Sequence, residues 1–220
     1  MSFSSIIFDW RGTLVTTLSW SKWIEHALHI TGRDSSAPDV QRVEDALAAV
    51  DPGEARLDAP GVDCDADLHR TIYFEVFSDA GLDRSLAEAL YAVESDYRYN
   101  PFATDVAETF KKLKDRGKRI AVLSDLHFDL RPAFFEAGLG TMVDAFVLSF
   151  EQGVQKPNPA IFEATLNFLS AEKETTLMVG DRSKPDGAAV ELGITTLLLP
   201  PLRSVEDRRL HRVTTLCGLR

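Results

Sequence analysis

Apolar and polar positions repeat with two different periods along this chain, and the change of period divides it. Ile6, Ile7 and Phe8 form a short apolar run that stops on Asp9, which reads as a buried strand ending on a carboxylate, with the turn Trp10-Arg11-Gly12-Thr13-Leu14 behind it. From there the period turns helical. Trp20, Trp23, Ile24, Ala27 and Leu28 share one helix face that Gly32 ends, and Val40, Val43 and Leu47 mark a weaker helix over 39–50. A loop rich in Pro and Gly covers 51–61. Two further apolar faces follow, Leu68, Ile72, Tyr73, Val76, Phe77 and then Leu86, Leu90, Val93, Tyr97.

Beyond Pro101 strand and helix alternate. The pattern predicts a helix over 104–116 stopped by Gly117, a strand over 119–123, a helix over 128–136 and a strand over 145–148. Next come a helix opened by Asn158 and Pro159, a strand over 176–179, a helix to Leu192, a strand over 194–199 and a terminal piece that adds a short helix and the stretch Val213 to Leu216. Such alternation requires crossovers and hence a parallel sheet. The expected fold is α/β, a doubly wound, Rossmann-like core of residues 1–14 and 101–220 with an all-helical insertion of residues 15–100. An insertion after the first strand sits over that strand's carboxyl end, where it can serve as a lid.

Composition narrows the function. With 45% hydrophobic residues the chain can bury a substantial core, and its formal charge of −10 argues against a nucleic-acid or anionic-membrane surface. Cys64 and Cys217 form no framework or metal-ligand spacing, and nowhere do 18 apolar residues run together. The expectation is a soluble, cytoplasmic protein of unspecified oligomeric state.

The polar residues at the strand ends suggest chemistry. Asp9 ends the first strand; Ser124 and Asp125 end the second; Asp181 follows Val179-Gly180, with Asp186 five residues on; Lys156 precedes Pro157 in a loop that opens a helix. A parallel sheet gathers such ends along one edge. Clustered carboxylates repel, and a hard oxygen-seeking ion such as Mg²⁺ would hold Asp9 and Asp181 ionised while binding a phosphate that Lys156 also neutralises.

Taken in order, Asp9-Trp10-Arg11-Gly12-Thr13-Leu14, Ser124, Lys156-Pro157 and Gly180-Asp181 through Asp186 resemble the four motifs of the haloacid dehalogenase-like hydrolase superfamily, and the helical insertion resembles its helical cap of the first type. The resemblance implies that Asp9 carries an aspartyl-phosphate intermediate and that Thr13, Ser124, Asp125 and Lys156 hold the phosphoryl group of a small phosphorylated substrate. It also implies that Asp9, Asp181, Asp186 and the backbone carbonyl of Arg11 form the Mg²⁺ shell.

One position departs from the pattern. Phosphatases of the superfamily carry a second Asp two residues after the nucleophile as general acid and base, and here that residue is Arg11. A guanidinium does not exchange protons near neutrality, so Arg11 is left with charge stabilisation, substrate binding, or a side chain turned towards the cap. A phosphatase with weakened proton transfer is the leading expectation. The alternatives are a catalytically silent relative that binds a phospho-ligand or a protein, and a 2-haloacid dehalogenase-like or phosphonate C–P hydrolase. The last would need a cap lysine, and Lys22, early in the insertion, is the one lysine that residues 15–100 offer.

Asp63, Asp65 and Asp67 mimic the start of a calcium loop, but Leu68 and Phe74 stand where Gly and Glu are required, so they read as helix-capping acids. His127 reads as a capping or surface residue. Trp20 and Trp23 read as cap core, with His26 and Arg33 as lesser pocket candidates.

Overall fold

The computed structural model describes residues 3–219. Its sheet has five parallel strands in the order β3-β2-β1-β4-β5: β1 Ser5–Phe8, β2 Arg119–Ser124, β3 Ala145–Leu148, β4 Thr176–Gly180 and β5 Thr195–Leu198. β1 lies at the centre, paired with β2 and β4, which is why all four of its residues are buried. Side chains alternate across it with the strand period of two. Ile6 and Phe8 join Ile120, Val122, Leu177 and Val179 in a core closed by α5 (Val106–Asp115) and the terminal helix (His211–Leu216). Ile7, Ala121, Leu123 and Met178 face the opposite layer, against Ile161 and Phe162 of the helix Pro159–Leu169. Both faces are covered at the centre of the sheet, so β1, β2 and β4 are apolar over most of their length, and truncating a fully buried ring such as Phe8 would cost about 3–5 kcal/mol.

Between β1 and α5 the chain forms four helices, α1 Trp20–Ile30, α2 Ala37–Val50, α3 Ala66–Asp79 and α4 Arg84–Glu94, packed on a core of their own. Ser19, Asp65 and Asp83 cap α1, α3 and α4 through their side chains. The two connections to the sheet are laced together: Asn100 Nδ2 donates to the Thr16 carbonyl at 2.9 Å, and Ala103 N to that of Leu14 at 2.9 Å. A second anchorage lies at the turn Val62–Cys64, where Ser149 Oγ donates to the Asp63 carbonyl at 2.6 Å and Gly61 N donates to Gln155 Oε1 at 2.8 Å.

The helix expected over 128–136 begins at Arg131, because Asp129 Oδ1 accepts from Arg131 N and Pro132 occupies the first turn. The stretch ending at Leu192 is a 3₁₀ helix, Gly187–Leu192, between two glycines. The face predicted to reach Tyr97 stops at Glu94, where Asp96 caps a separate turn. Among the described residues no helix is long and apolar enough to cross a membrane.

His127 is not a surface residue: it is buried, its ring stacks on His69 of the helical block at 3.4 Å, and its Nε2 shares a hydrogen bond of 2.9 Å with Ser95 Oγ. Burial, then His69 and Arg11, hold its pKa down to about 2; burial and Arg11 hold that of His69 to about 3. A histidine kept neutral on folding takes up its proton only when unfolded, so its share of stability is whole above pH 6.5 and drains away as the pH falls towards the folded value. At pH 5 one such histidine costs about 2 kcal/mol. His127→Gln should therefore gain about 2 kcal/mol on the wild type between pH 7 and pH 5 in urea unfolding. Parallel stability curves for the two proteins would mean that His127 binds a proton in the folded state.

Candidate active site

The strand ends bring five side chains into one hydrogen-bonded group. Lys156 Nζ, fully buried, donates to Asp9 Oδ1 at 2.7 Å and to Asp186 Oδ1 at 2.6 Å. Thr13 Oγ1 lies 3.0 Å from Asp9 Oδ2 and 3.4 Å from Asp181 Oδ1. The second oxygen of Asp186 accepts from the backbone N–H groups of Asp181 and Arg182 at 3.1 and 2.9 Å, so Asp186 fixes both the ammonium and the turn after β4. Asp125 holds the Lys156 loop from the other side, accepting from Lys156 N at 2.9 Å, and Ser124 ends β2 beside it.

Two glycines make this density possible. A Cβ on Gly12, whose φ is +78°, would come within 2.4 Å of Asp181 Oδ2, and one on Gly180 within 2.3 Å of the Asp186 carboxyl carbon. The Gly12 turn is also braced from the far end of the chain. Buried Arg209 donates to the carbonyls of Gly12 and Thr13, at 3.3 and 2.7 Å, and Leu202 N to that of Gly12 at 2.8 Å.

One ammonium faces three carboxylates. Burial, partly offset by Lys156, pushes the Asp9 carboxyl up to about 7, and burial followed by Asp186 raises Asp181. Burial alone would lower the Lys156 ammonium, but Asp9 and Asp186 outweigh it and hold it above the usual range. One oxygen from each of Asp9, Asp181 and Asp186 lies within 4.8 Å of the others. Asp63, His69 and His127 meet the same distance, yet their character differs: the two imidazoles are stacked with 16° between planes, so their in-plane lone pairs run side by side and do not converge on one ion.

The Arg11 guanidinium points away from this group. It pairs with the Glu94 carboxylate, donates to the Glu94 backbone carbonyl at 2.9 Å and lies over the rings of Trp10 and Phe128. A cavity of about 260 Å³ separates the helical block from the sheet edge. Its floor is Asp9, Ser124, Asp125 and Asp181; Trp20, Trp23, Tyr73, Glu54 and Asp63 line it from above, and Arg182 closes one side near Asp58 and Asp125. Both tryptophans thus belong to the cavity wall as well as the helical core. Arg33 is paired with Asp83, and His26 packs on Tyr99; neither lines the cavity. Sequence reasoning missed Glu94, Arg182 and Arg209 and took Asp63 for a helix cap.

The family model for haloacid dehalogenase-like hydrolases matches residues 3–191. The chain belongs to this family. Over 142 residues the hydrolase is 30% identical to a phosphoserine phosphatase from Thermus thermophilus; the match covers 60% of this chain and just over half, 55%, of that protein. The fold is similar to that of a HAD phosphatase from Thermococcus onnurineus, with a TM-score of 0.63 and 19% identity, covering 99% of this chain and 98% of the other. It is equally similar to an L-2-haloacid dehalogenase from Xanthobacter autotrophicus, again with a TM-score of 0.63 and 19% identity, covering 99% and 84%.

Lys156 is the member of this hydrolase's site whose removal should be felt most. Lys156→Met leaves Asp9 and Asp186 buried without their cation, and breaking such a pair costs about 3–5 kcal/mol. Urea unfolding of the variant at pH 7 should show that loss, with part of it recovered at pH 5 as Asp9, whose carboxyl burial already raises, takes up a proton. A loss below about 1 kcal/mol, the range of exposed pairs, would mean that the two carboxylates reach solvent.

Proposed function

We propose that this hydrolase cleaves the phosphate ester of a small metabolite through a phosphoryl group carried on Asp9, with Mg²⁺ held by Asp9, Asp181 and the backbone carbonyl of Arg11. The charge imbalance carries this reading: three clustered carboxylates face a single ammonium, and a dication on oxygen ligands would restore neutrality. Asp186 has both oxygens engaged, so its part is to support Lys156 and the Asp181 turn from behind. When bound, Mg²⁺ would neutralise phosphoryl oxygens and keep Asp9 ionised as a nucleophile. Lys156 and Ser124 would hold the remaining phosphoryl oxygens, and Thr13 would orient Asp9. The four-helix block acts as a cap that closes the cavity and excludes water. The phosphatase name of the curated relative supports a phosphorylated substrate. A metal-free dehalogenase chemistry would leave the excess carboxylate charge uncompensated, which favours the phosphatase reading.

Hydrolysis of an aryl phosphate such as p-nitrophenyl phosphate should require Mg²⁺ and disappear in Asp9→Asn. Mg²⁺ at a hundredfold excess over its dissociation constant should stabilise the wild type by about 2.7 kcal/mol, and Asp181→Ala far less at the same concentration. Equal stabilisation of the two proteins would remove Asp181 from the metal shell, and turnover surviving in Asp9→Asn would remove the phosphoenzyme.

A further inference from the structure

Arg11 leaves a proton-transfer role without an occupant, and the helical block places a carboxyl over the same cavity. We infer that Asp63 is the general acid and base of the reaction, an inference that rests on the phosphatase reading above. Asp63 sits in the turn Val62–Cys64, and that turn is fastened to the sheet edge. Ser149 Oγ binds the Asp63 carbonyl, and Gln155, next to Lys156, accepts from Gly61 N. A residue anchored this way is held over the nucleophile by the core itself and shares its cavity with Asp9, Ser124 and Asp181.

The other carboxyl groups lining that cavity are bonded elsewhere or exposed to solvent. Glu94 is paired with Arg11, Glu54 accepts from Trp20 Nε1 at 2.9 Å, Asp125 accepts from Lys156 N, and Asp58 lies in the open beside Arg182. Asp9 and Asp181 belong to the nucleophile and metal cluster. The Asp63 side chain is three-quarters buried and makes no hydrogen bond among the described residues; the nearest basic atom is His69 Nε2 at 3.7 Å. His69 is itself fixed by Tyr91, whose hydroxyl lies 3.2 Å from Nδ1, and by stacking against Tyr73 and His127.

The charges that face Asp63 suit a group that must both give and take a proton. Asp125, Glu94 and Asp58 oppose its ionisation, while Arg11 favours it. Burial first, and Asp125 after it, bring the carboxyl up to about 7. Arg11, bound to Glu94, thus acts on the reaction through the field it adds at Asp63.

In the first half-reaction an Asp9 carboxylate oxygen bonds to phosphorus. The bond from phosphorus to the ester oxygen breaks, its electron pair stays on that oxygen, and the oxygen takes the Asp63 proton and departs as the alcohol. In the second, the Asp63 carboxylate removes a proton from water as the water oxygen bonds to phosphorus. The electron pair of the Asp9–phosphorus bond returns to the Asp9 carboxylate, phosphate leaves, and Asp63 is again protonated. One water is consumed for each ester.

The test compares an alkyl phosphate, glycerol phosphate, with p-nitrophenyl phosphate, whose leaving group departs as a weak base. In the wild type, kcat/KM for the alkyl ester should fall as the pH rises through about 7, the point at which a general acid of that pKa loses its proton, while kcat/KM for the aryl ester should not. Both substrates share Asp9, so the difference reports the proton donor alone and needs no variant. Asp63→Asn should lower kcat/KM for the alkyl ester by about 10²–10⁴-fold and for the aryl ester by less than about tenfold. Its aryl turnover should show a burst, because the phosphoenzyme has lost the base that activates water. Asp63→Glu should recover part of the alkyl rate. If Asp63→Asn slows both esters equally, or neither, or if the two wild-type pH profiles coincide, Asp63 is not the donor although the phosphatase reading stands. If the wild type hydrolyses neither ester, that reading fails and the role of Asp63 falls with it.

Discussion

A single buried ammonium organises the carboxyl edge of the sheet. Lys156 Nζ is fully enclosed and bonded to Asp9 and Asp186, and each partner is itself bound into the ends of strands that the sheet holds side by side. Withdrawing an ammonium from water costs several kcal/mol, which only near-ideal contacts repay, so the Lys156 loop, the Asp9 turn and the loop after β4 are tied to one geometry. Asp125 receives the Lys156 backbone, Asp186 receives that of Asp181 and Arg182, and Gly12 and Gly180 leave room for the carboxyls that meet there. Even with this ammonium in place the cluster gathers three carboxyl groups around one cation, the imbalance on which the proposed Mg²⁺ rests.

Among the described residues, the helical block meets this edge through contacts of different chemistry. Hydrogen bonds from Ser149 and Gln155 secure the turn around Asp63, an ion pair joins Arg11 to the end of α4, and the stacked imidazoles of His69 and His127 fill the space between. Arg11 is the informative one. At the position where the resemblance to phosphatases leads one to expect a carboxyl, this chain places a cation, and the cation reaches across to Glu94 of the helical block. The loss of one proton carrier and the gain of a bridge to a segment bearing another carboxyl are two consequences of the same residue.

Much of this was legible in the sequence because strands advertise themselves. Ile6-Ile7-Phe8 before Asp9, Ile120 to Leu123 before Ser124 and Leu177 to Val179 before Gly180-Asp181 each give an apolar run with a polar terminus, and a parallel sheet collects such termini by construction. Asp9, Thr13, Ser124, Asp125, Lys156, Asp181 and Asp186 could therefore be assembled without coordinates. Asp63, Glu94, His69 and His127 could not. They stand on a 3₁₀ turn, a helix end, a helix face and a loop, and they meet only when the helical block docks, an arrangement that no periodicity encodes. Arg209 was invisible for a related reason: it approaches Gly12 and Thr13 from almost two hundred residues away, beyond the segment that the family model matches.

The strand order has a consequence for how the molecule comes to exist. β1 precedes its partners in the chain but sits in the middle of the sheet, and those partners begin at Arg119 and Thr176, so during synthesis this strand waits through the whole helical block before either neighbour is present. The helices over 20–94 contact chiefly one another and have a core of local contacts, which favours their forming early. The apolar strand ahead of them stays unpaired in the meantime, and an unpaired run such as Ile6-Ile7-Phe8 is prone to associate with other chains. The cluster's charges come together only when β4 and the loop carrying Asp186 close against β1, so assembly of this charged cluster and burial of the unpaired apolar strand are the same event.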